Sequence, residues 1–160
     1  MQGQCNCGAV RYTLTVAPIV THACHCTWCQ RETGAAFAVN AVVERSAITL
    51  DAGAPVATTL ASQSGRGQIV QRCAACGVTL WSHYAQSGPA IAFLRVGTLD
   101  PDHDIVPDVH IYTSTRRPWL PLPEATRVFE EFYNPREVWG EEGLSRFADA
   151  REAYKAEGCA

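Results

Sequence analysis

Between residues 9 and 16 apolar and polar side chains alternate, with Val10, Tyr12, Leu14 and Val16 set against Arg11, Thr13 and Thr15. A period of two puts one set on a buried face and the other in water, which predicts a half-buried strand; Pro18 ends it. Further short strands are expected at 37–43, 47–50, 56–60, 67–73, 78–83, 90–96 and 106–113, punctuated by Gly53, Gly65, Gly67, Gly88, Pro89 and Gly97. Many short strands with turn residues between them predict a mainly β, antiparallel architecture. Two stretches depart from that period. At Thr27 a short helix is expected to start, with Thr27 capping the first turn, Gln30 reaching back to it and Gly34 stopping it. Over 143–155, Leu144, Phe147, Arg151 and Tyr154 recur at helical spacing and predict a C-terminal helix. Between the strands and that helix, Pro118, Pro121 and Pro123 remove backbone donors and fix an extended connector laid over the sheet. The expected organisation is a β domain over residues 1–123 and a partly helical extension, 124–160, packed on the same domain.

Composition narrows the partners. A chain of 160 residues buries roughly 68–70% of its unfolded surface, so a core forms without help from metal. The net charge of -3, with 18% charged residues and scattered basic ones, lacks the basic stripe of a nucleic-acid surface. No apolar run approaches the roughly 20 residues of a membrane span. Met1-Gln2-Gly3-Gln4 leads into the first cysteines without a basic and apolar leader, so a cytoplasmic protein is expected. In a reducing compartment, eight cysteines are read as metal ligands or catalytic groups rather than a disulfide framework. Disulfides are the bland alternative, but Cys5 and Cys7 are too close for a comfortable bridge.

Seven of the cysteines form three clusters: Cys5 and Cys7; Cys24, Cys26 and Cys29; Cys73 and Cys76. A structural zinc takes four protein ligands, whereas a catalytic zinc keeps three and an open position. Pairing the doublets gives four thiolates and leaves the triplet as three. Each doublet ends in a glycine, Gly8 or Gly77, able to take the positive φ of a tight turn. For the triplet, a closed site of three cysteines and one histidine is also open, with His22 or His25 as the fourth ligand. If the fourth position is free, three thiolates outweigh the charge of the zinc. Water activation is then disfavoured relative to holding an incoming thiol as thiolate. The helix start beside Cys26 and Cys29 favours thiolate further.

These residues carry a resemblance. Gly3-x-Cys5-x-Cys7-Gly8-Ala9-Val10, Cys24-His25-Cys26-x-x-Cys29-x-x-x-Thr33-Gly34, Cys73-x-x-Cys76-Gly77-x-x-Leu80 and Val96-Gly97-Thr98-Leu99-Asp100 resemble the glutathione-dependent formaldehyde-activating enzyme family, which includes centromere protein V-like domains. The likeness spans residues 3–120, and His110 followed by Trp119 is similar to the family's closing pattern. It implies a zinc-bearing, antiparallel β-tent fold. It implies two zinc ions per chain, a structural one on Cys5, Cys7, Cys73 and Cys76 and a catalytic one on Cys24, Cys26 and Cys29. The implied activity is that of a carbon–sulfur lyase condensing formaldehyde with glutathione to S-hydroxymethylglutathione. Cys159 has no counterpart in the pattern and is expected on a solvent-facing tail.

The expected partners are therefore a small thiol and an aldehyde, with neither nucleic acid nor membrane, and with a homo-oligomer left open. His22, His25, His83 and His110 are candidate general acids. Carboxylates on a glutathione-like substrate call for an arginine near the mouth, with Arg31, Arg116 and Arg117 as candidates. Trp28 and Trp119 are candidate pocket walls. A zinc-stabilised binding module without catalysis, and a redox switch that releases zinc on oxidation, are the alternatives.

Overall fold

The computed structural model describes residues 1–158. In chain order the elements are β1 (Gln2–Gln4), β2 (Arg11–Leu14), β3 (Val20–Cys24), α1 (Thr27–Thr33), β4 (Ala38–Glu44), β5 (Ile48–Ala52), β6 (Val56–Leu60), β7 (Gln68–Arg72), β8 (Thr79–Tyr84), β9 (Ile91–Arg95), β10 (Val109–Ile111), β11 (Arg127–Val128), α2 (Pro135–Val138) and α3 (Glu141–Ala156). The strands form a three-stranded sheet, β1-β2-β5, and an eight-stranded sheet ordered β11-β10-β3-β4-β9-β8-β7-β6. The protein is thus mainly β, with a few helices that include the expected C-terminal one.

The middle of the large sheet is buried on both faces, and the period of two sorts its side chains. Ala41 and Val43 of β4 and Ala92 and Leu94 of β9 join Tyr12, Leu14, Leu80 and Trp81 in a core that also takes in residues of β2 and β5 from the small sheet. Ala38 and Val42 of β4 and Ile91 and Phe93 of β9 point to the opposite side. There they pack with Cys24, Cys26, Cys29, Ile111, Tyr133 and Trp139. Strand β3 pairs with β4 so that His22 lies opposite Asn40 and Cys24 opposite Ala38, which puts His22 and Cys24 on this second face.

Several expectations are corrected. The pairing is not wholly antiparallel: β10 runs parallel to β3, with Ile111 beside Cys24, and β11 runs parallel to β10. Side-chain alternation is the same for either direction, so the periodicity carries no information on it. Strand β3 is not among the strands expected from the sequence: all five of its residues are buried, and burial on both faces erases the alternation that marks a strand. Helix α1 is capped by Cys26 rather than Thr27, and ends at Gly34 in the left-handed conformation. Gln30 does not reach back to a cap. Its amide donates to the carbonyls of His25 and Thr115, at 2.6 and 2.9 Å. Helix α3 overruns the expected 143–155 by two residues at its start and one at its end. Cys159 lies outside the described residues.

The C-terminal segment is fastened on the second face. Trp139 packs on Phe147 with ring centroids 5.1 Å apart. Arg146 donates from Nε and Nη2 to the two carboxylate oxygens of Glu44, at 2.8 Å each, and from Nη2 to the Ala17 carbonyl at 2.9 Å. Burial pushes the Glu44 carboxyl up, but the Arg146 hydrogen bonds outweigh it and hold the group below its usual range. A depressed folded-state value means that the stabilisation is complete above the ordinary carboxylate value of about 4.3 and is lost as acid protonates the group. Arg146→Ala should cost about 1 kcal/mol near neutral pH, a modest sum because the pair is partly exposed. The loss, read as a shift in urea midpoint, should shrink between about pH 5 and pH 2; an equal loss across that range would contradict the assignment.

Candidate metal centres and the cavity beside one of them

Two hairpin turns with the same backbone plan bring four sulfurs together. In the turn from β1 to β2, the Cys5 N–H donates to Val10 O at 3.0 Å and the Gly8 N–H to Cys5 O at 3.0 Å. In the turn from β7 to β8, the Cys73 N–H donates to Val78 O and the Gly77 N–H to Cys73 O, both at 2.9 Å. Gly8 and Gly77 have φ of 71° and 73°, the left-handed values that a glycine takes without strain. The Cys5–Cys7 and Cys7–Cys73 sulfur separations are 3.6 and 3.8 Å, close to the roughly 3.8 Å edge of a tetrahedron of ligands 2.3 Å from zinc. All four ligand atoms lie within 4.8 Å of one another. Burial opposes ionisation of Cys5, yet the Val10 N–H and the Cys73 and Cys7 thiols bring it down to about 6. The set can hold a metal ion, and four sulfur donors at this spacing are consistent with zinc.

The triplet is built differently. Cys24 ends β3, Cys26 caps α1 and Cys29 lies one turn into that helix; all three are buried. The Cys29 N–H donates to the Cys26 sulfur at 3.3 Å. Hydrogen bonds from the Cys24 and Cys29 thiols draw the Cys26 thiol down to about 3 against its burial, helped by the Cys29 and Trp28 N–H groups. Its two neighbours bear the opposite effect: Cys24 is pushed well above its ordinary value by those sulfur contacts and by burial. Three close sulfurs share one negative charge until a cation deprotonates the others, which is what thiolate ligation to a metal does. Their ligand atoms lie within 4.8 Å of one another, and the group contains no histidine or carboxylate.

Cys24 and Cys26 of the triplet line a cavity of about 330 Å³, together with His22, Trp28, Tyr84 and Tyr112 among others. Of the four candidate histidines, His22 alone lines it. His22 is fully buried, and its Nε2 lies 2.5 Å from the Tyr133 hydroxyl, which accepts the Trp139 indole N–H at 2.6 Å. Burial pushes His22 down to about 3, so the ring is neutral at neutral pH. Its Nδ1 is buried without a hydrogen-bond partner among the described residues, and neither ring nitrogen falls within the group formed by the three triplet sulfurs. His25 turns away and meets His110, Nε2 to Nδ1 at 2.8 Å. His83 accepts from the Trp81 indole at 3.1 Å and contacts the Ile91 carbonyl through Nδ1 at 2.8 Å.

None of Arg31, Arg116 and Arg117 lines the cavity; Arg151 of α3 does. Trp28 lines it, whereas Trp119 is 71% exposed and lies elsewhere. Tyr84, Tyr112 and Tyr133 escaped the sequence reading because aromatic residues on strands and in proline-rich stretches carry no motif. Arg95 escaped it too. It is 6% exposed, donates to Asn40 Oδ1 and, at 3.5 Å, to Ser82 Oγ, and its charge favours the Cys29 thiolate.

Residues 1–115 match the family profile described as glutathione-dependent formaldehyde-activating enzyme. No curated protein sequence gives a significant match. Among solved structures, the chain is similar to the crystal structure of a Rhodobacter sphaeroides protein, with 23% identity over 65% of this chain and 92% of that one and a TM-score of 0.50. At that identity the likeness concerns the fold alone. The family profile spans well over half of the sequence, and it includes all seven clustered cysteines: the chain belongs to the glutathione-dependent formaldehyde-activating enzyme family.

Proposed function

We propose that this protein is a zinc-dependent enzyme of the carbon–sulfur lyase type, which condenses a small thiol with an aldehyde or runs the reverse cleavage. The observation that carries this reading is the buried cysteine triplet at the cavity wall, with no histidine or carboxylate among its grouped ligand atoms. In the family's name the thiol is glutathione and the aldehyde formaldehyde. Cys5, Cys7, Cys73 and Cys76 would hold a structural zinc, and Cys24, Cys26 and Cys29 a catalytic one, on a β-tent domain over residues 1–123 with 124–160 as its extension, in a reducing cytoplasm. Zinc bound by the triplet supplies an open position that keeps an incoming thiol ionised.

The chain's own residues set up the rest. The substrate sulfur's electron pair forms a bond to the carbonyl carbon, the C=O π pair moves to oxygen, and that oxygen takes up a proton equal to the one the thiol gave up. Nothing is oxidised or reduced. Tyr112 is placed for the oxygen. It lines the cavity, and its hydroxyl makes no hydrogen bond within the described residues. Burial first, and the cysteine sulfurs after it, push its phenol up to about 12. At neutral pH it is therefore a standing O–H donor. Its backbone has φ of 54°, a left-handed value rare for a tyrosine and found where surrounding structure over-determines the position. His22, neutral and held by Tyr133, also lines the cavity, and its ring and that of Tyr112 lie 5.7 and 6.4 Å from the Phe132 ring.

Two experiments test the reading. Cys26→Ser keeps an oxygen that can cap α1 and removes the thiolate. The purified variant should carry one zinc instead of two, stay folded and lose turnover of glutathione with formaldehyde. Persistent turnover would overturn the assignment. Cys73→Ser should instead lower the thermal midpoint markedly, since metal ligation there is folding free energy. Tyr112→Phe should lower kcat on the order of 10²-fold, as for loss of a proton donor or oxyanion contact, with KM for the thiol little changed; an unaltered kcat would exclude the role.

A further inference from the structure

The family match ends at residue 115, and the cavity does not. The segment beyond it supplies Phe132, Tyr133, Trp139 and Phe147 to the wall, and Arg151 as well. Phe132 stacks on Tyr133 at 4.8 Å with the planes 10° apart, and Trp139 meets Phe147 at 5.1 Å. Phe93 and Ile111 continue this apolar side within the sheet. Gln63, Ser64, Gln68, Gln86 and Ser87, also in the lining, are polar but uncharged. Among the described residues lining the cavity, Arg151 is the one charged side chain. Its guanidinium lies 5.5 Å over the Phe147 ring and is in no ion pair within the described residues. Arg151 is exposed, whereas Cys24 and Cys26 are buried, so the cation sits at the outer end and the sulfurs at the inner one.

We propose, on the basis of the reading above, that the extension selects the thiol. It is a thiol with an apolar, ring-like body and a single carboxylate, and a zwitterionic peptide is the poorer fit. The ring lies against the Phe132 and Phe147 side, the carboxylate meets Arg151, and the sulfur reaches the triplet. Apolar surface leaving water for aromatic walls is a favourable transfer. An arginine fork is the geometry that a carboxylate accepts. Glutathione brings two carboxylates and an ammonium to a cavity lined by one basic side chain and no carboxylate, so its second carboxylate and its ammonium find no complementary side chain there. A cavity of about 330 Å³ lies in the range that small-molecule sites occupy.

Isothermal titration of the zinc-loaded full chain with 4-(mercaptomethyl)benzoate, benzyl mercaptan, glutathione and the thiol-free 4-methylbenzoate tests this. The first should bind at least tenfold more tightly than glutathione. Arg151→Gln should bring 4-(mercaptomethyl)benzoate to the level of benzyl mercaptan while leaving benzyl mercaptan unchanged. Phe147→Ala should weaken both aryl thiols and spare glutathione. Tightest binding of glutathione, or indifference to Arg151→Gln, would overturn the proposal and leave the lyase reading intact. If 4-methylbenzoate binds through Arg151 but no thiol binds more tightly than it, the pocket stands as a carboxylate site and the thiol-presenting reading falls.

Discussion

Strands β4 and β9 have no solvent face. Every side chain along them must enter one of two cores, and strict alternation decides which. Ala41, Val43, Ala92 and Leu94 meet the small sheet, while Ala38, Val42, Ile91 and Phe93 meet the cysteine triplet and the C-terminal segment. Slipping the register by one residue would exchange the two sets. It would also carry His22 and Cys24, fixed opposite Asn40 and Ala38, from the cavity to the wrong core. The position of the candidate site is thus a consequence of the pairing of three central strands.

The two cysteine groups stand on opposite terms with that frame. Cys5, Cys7, Cys73 and Cys76 sit in hairpin turns, where the chain is already reversed and glycine relieves the backbone. Bringing these turns together links the small sheet to the far half of the large one across 66 positions of chain, the separation between Cys7 and Cys73. The triplet belongs to the interior. One of its members ends a strand and another caps a helix, so its geometry is inherited from backbone hydrogen bonds that the sheet and α1 make in any case. Crowding three sulfurs into a buried space drives their proton affinities apart, with Cys26 low and Cys24 high. Arg95, buried without a carboxylate and lying where it favours the Cys29 thiolate, offsets part of the negative charge.

The C-terminal segment closes the account of the second core. Tyr133 and Trp139 are buried in it, and Arg146 ties α3 to Glu44 at the end of β4. His22 ties β3 to that segment through Nε2 and Tyr133 while it lines the cavity beside Cys24 and Cys26, its Nδ1 without a partner among the described residues. Packing and site chemistry meet in that one hydrogen bond.

Much of this was legible in the sequence. The spacing of seven cysteines separated a set of four from a set of three, since sulfurs one or two residues apart can share a metal whatever the fold around them. The alternation over 9–16, the short apolar strand at 90–96, the helix after the triplet and the helix near the end are local patterns, set by which side chains a short stretch must bury. Other features depend on residues far apart in the chain, and no local pattern records them. The parallel pairing of β10 with β3 joins residues 109–111 to 22–24. The cap at Cys26, and the turning of His25 towards His110, follow from how that pairing seats the start of α1. The cavity's aromatic wall and Arg151 come from a segment with no motif of its own. Spacing along the chain was enough to group the sulfurs; only the packing of distant elements against them decided what else faces the cavity.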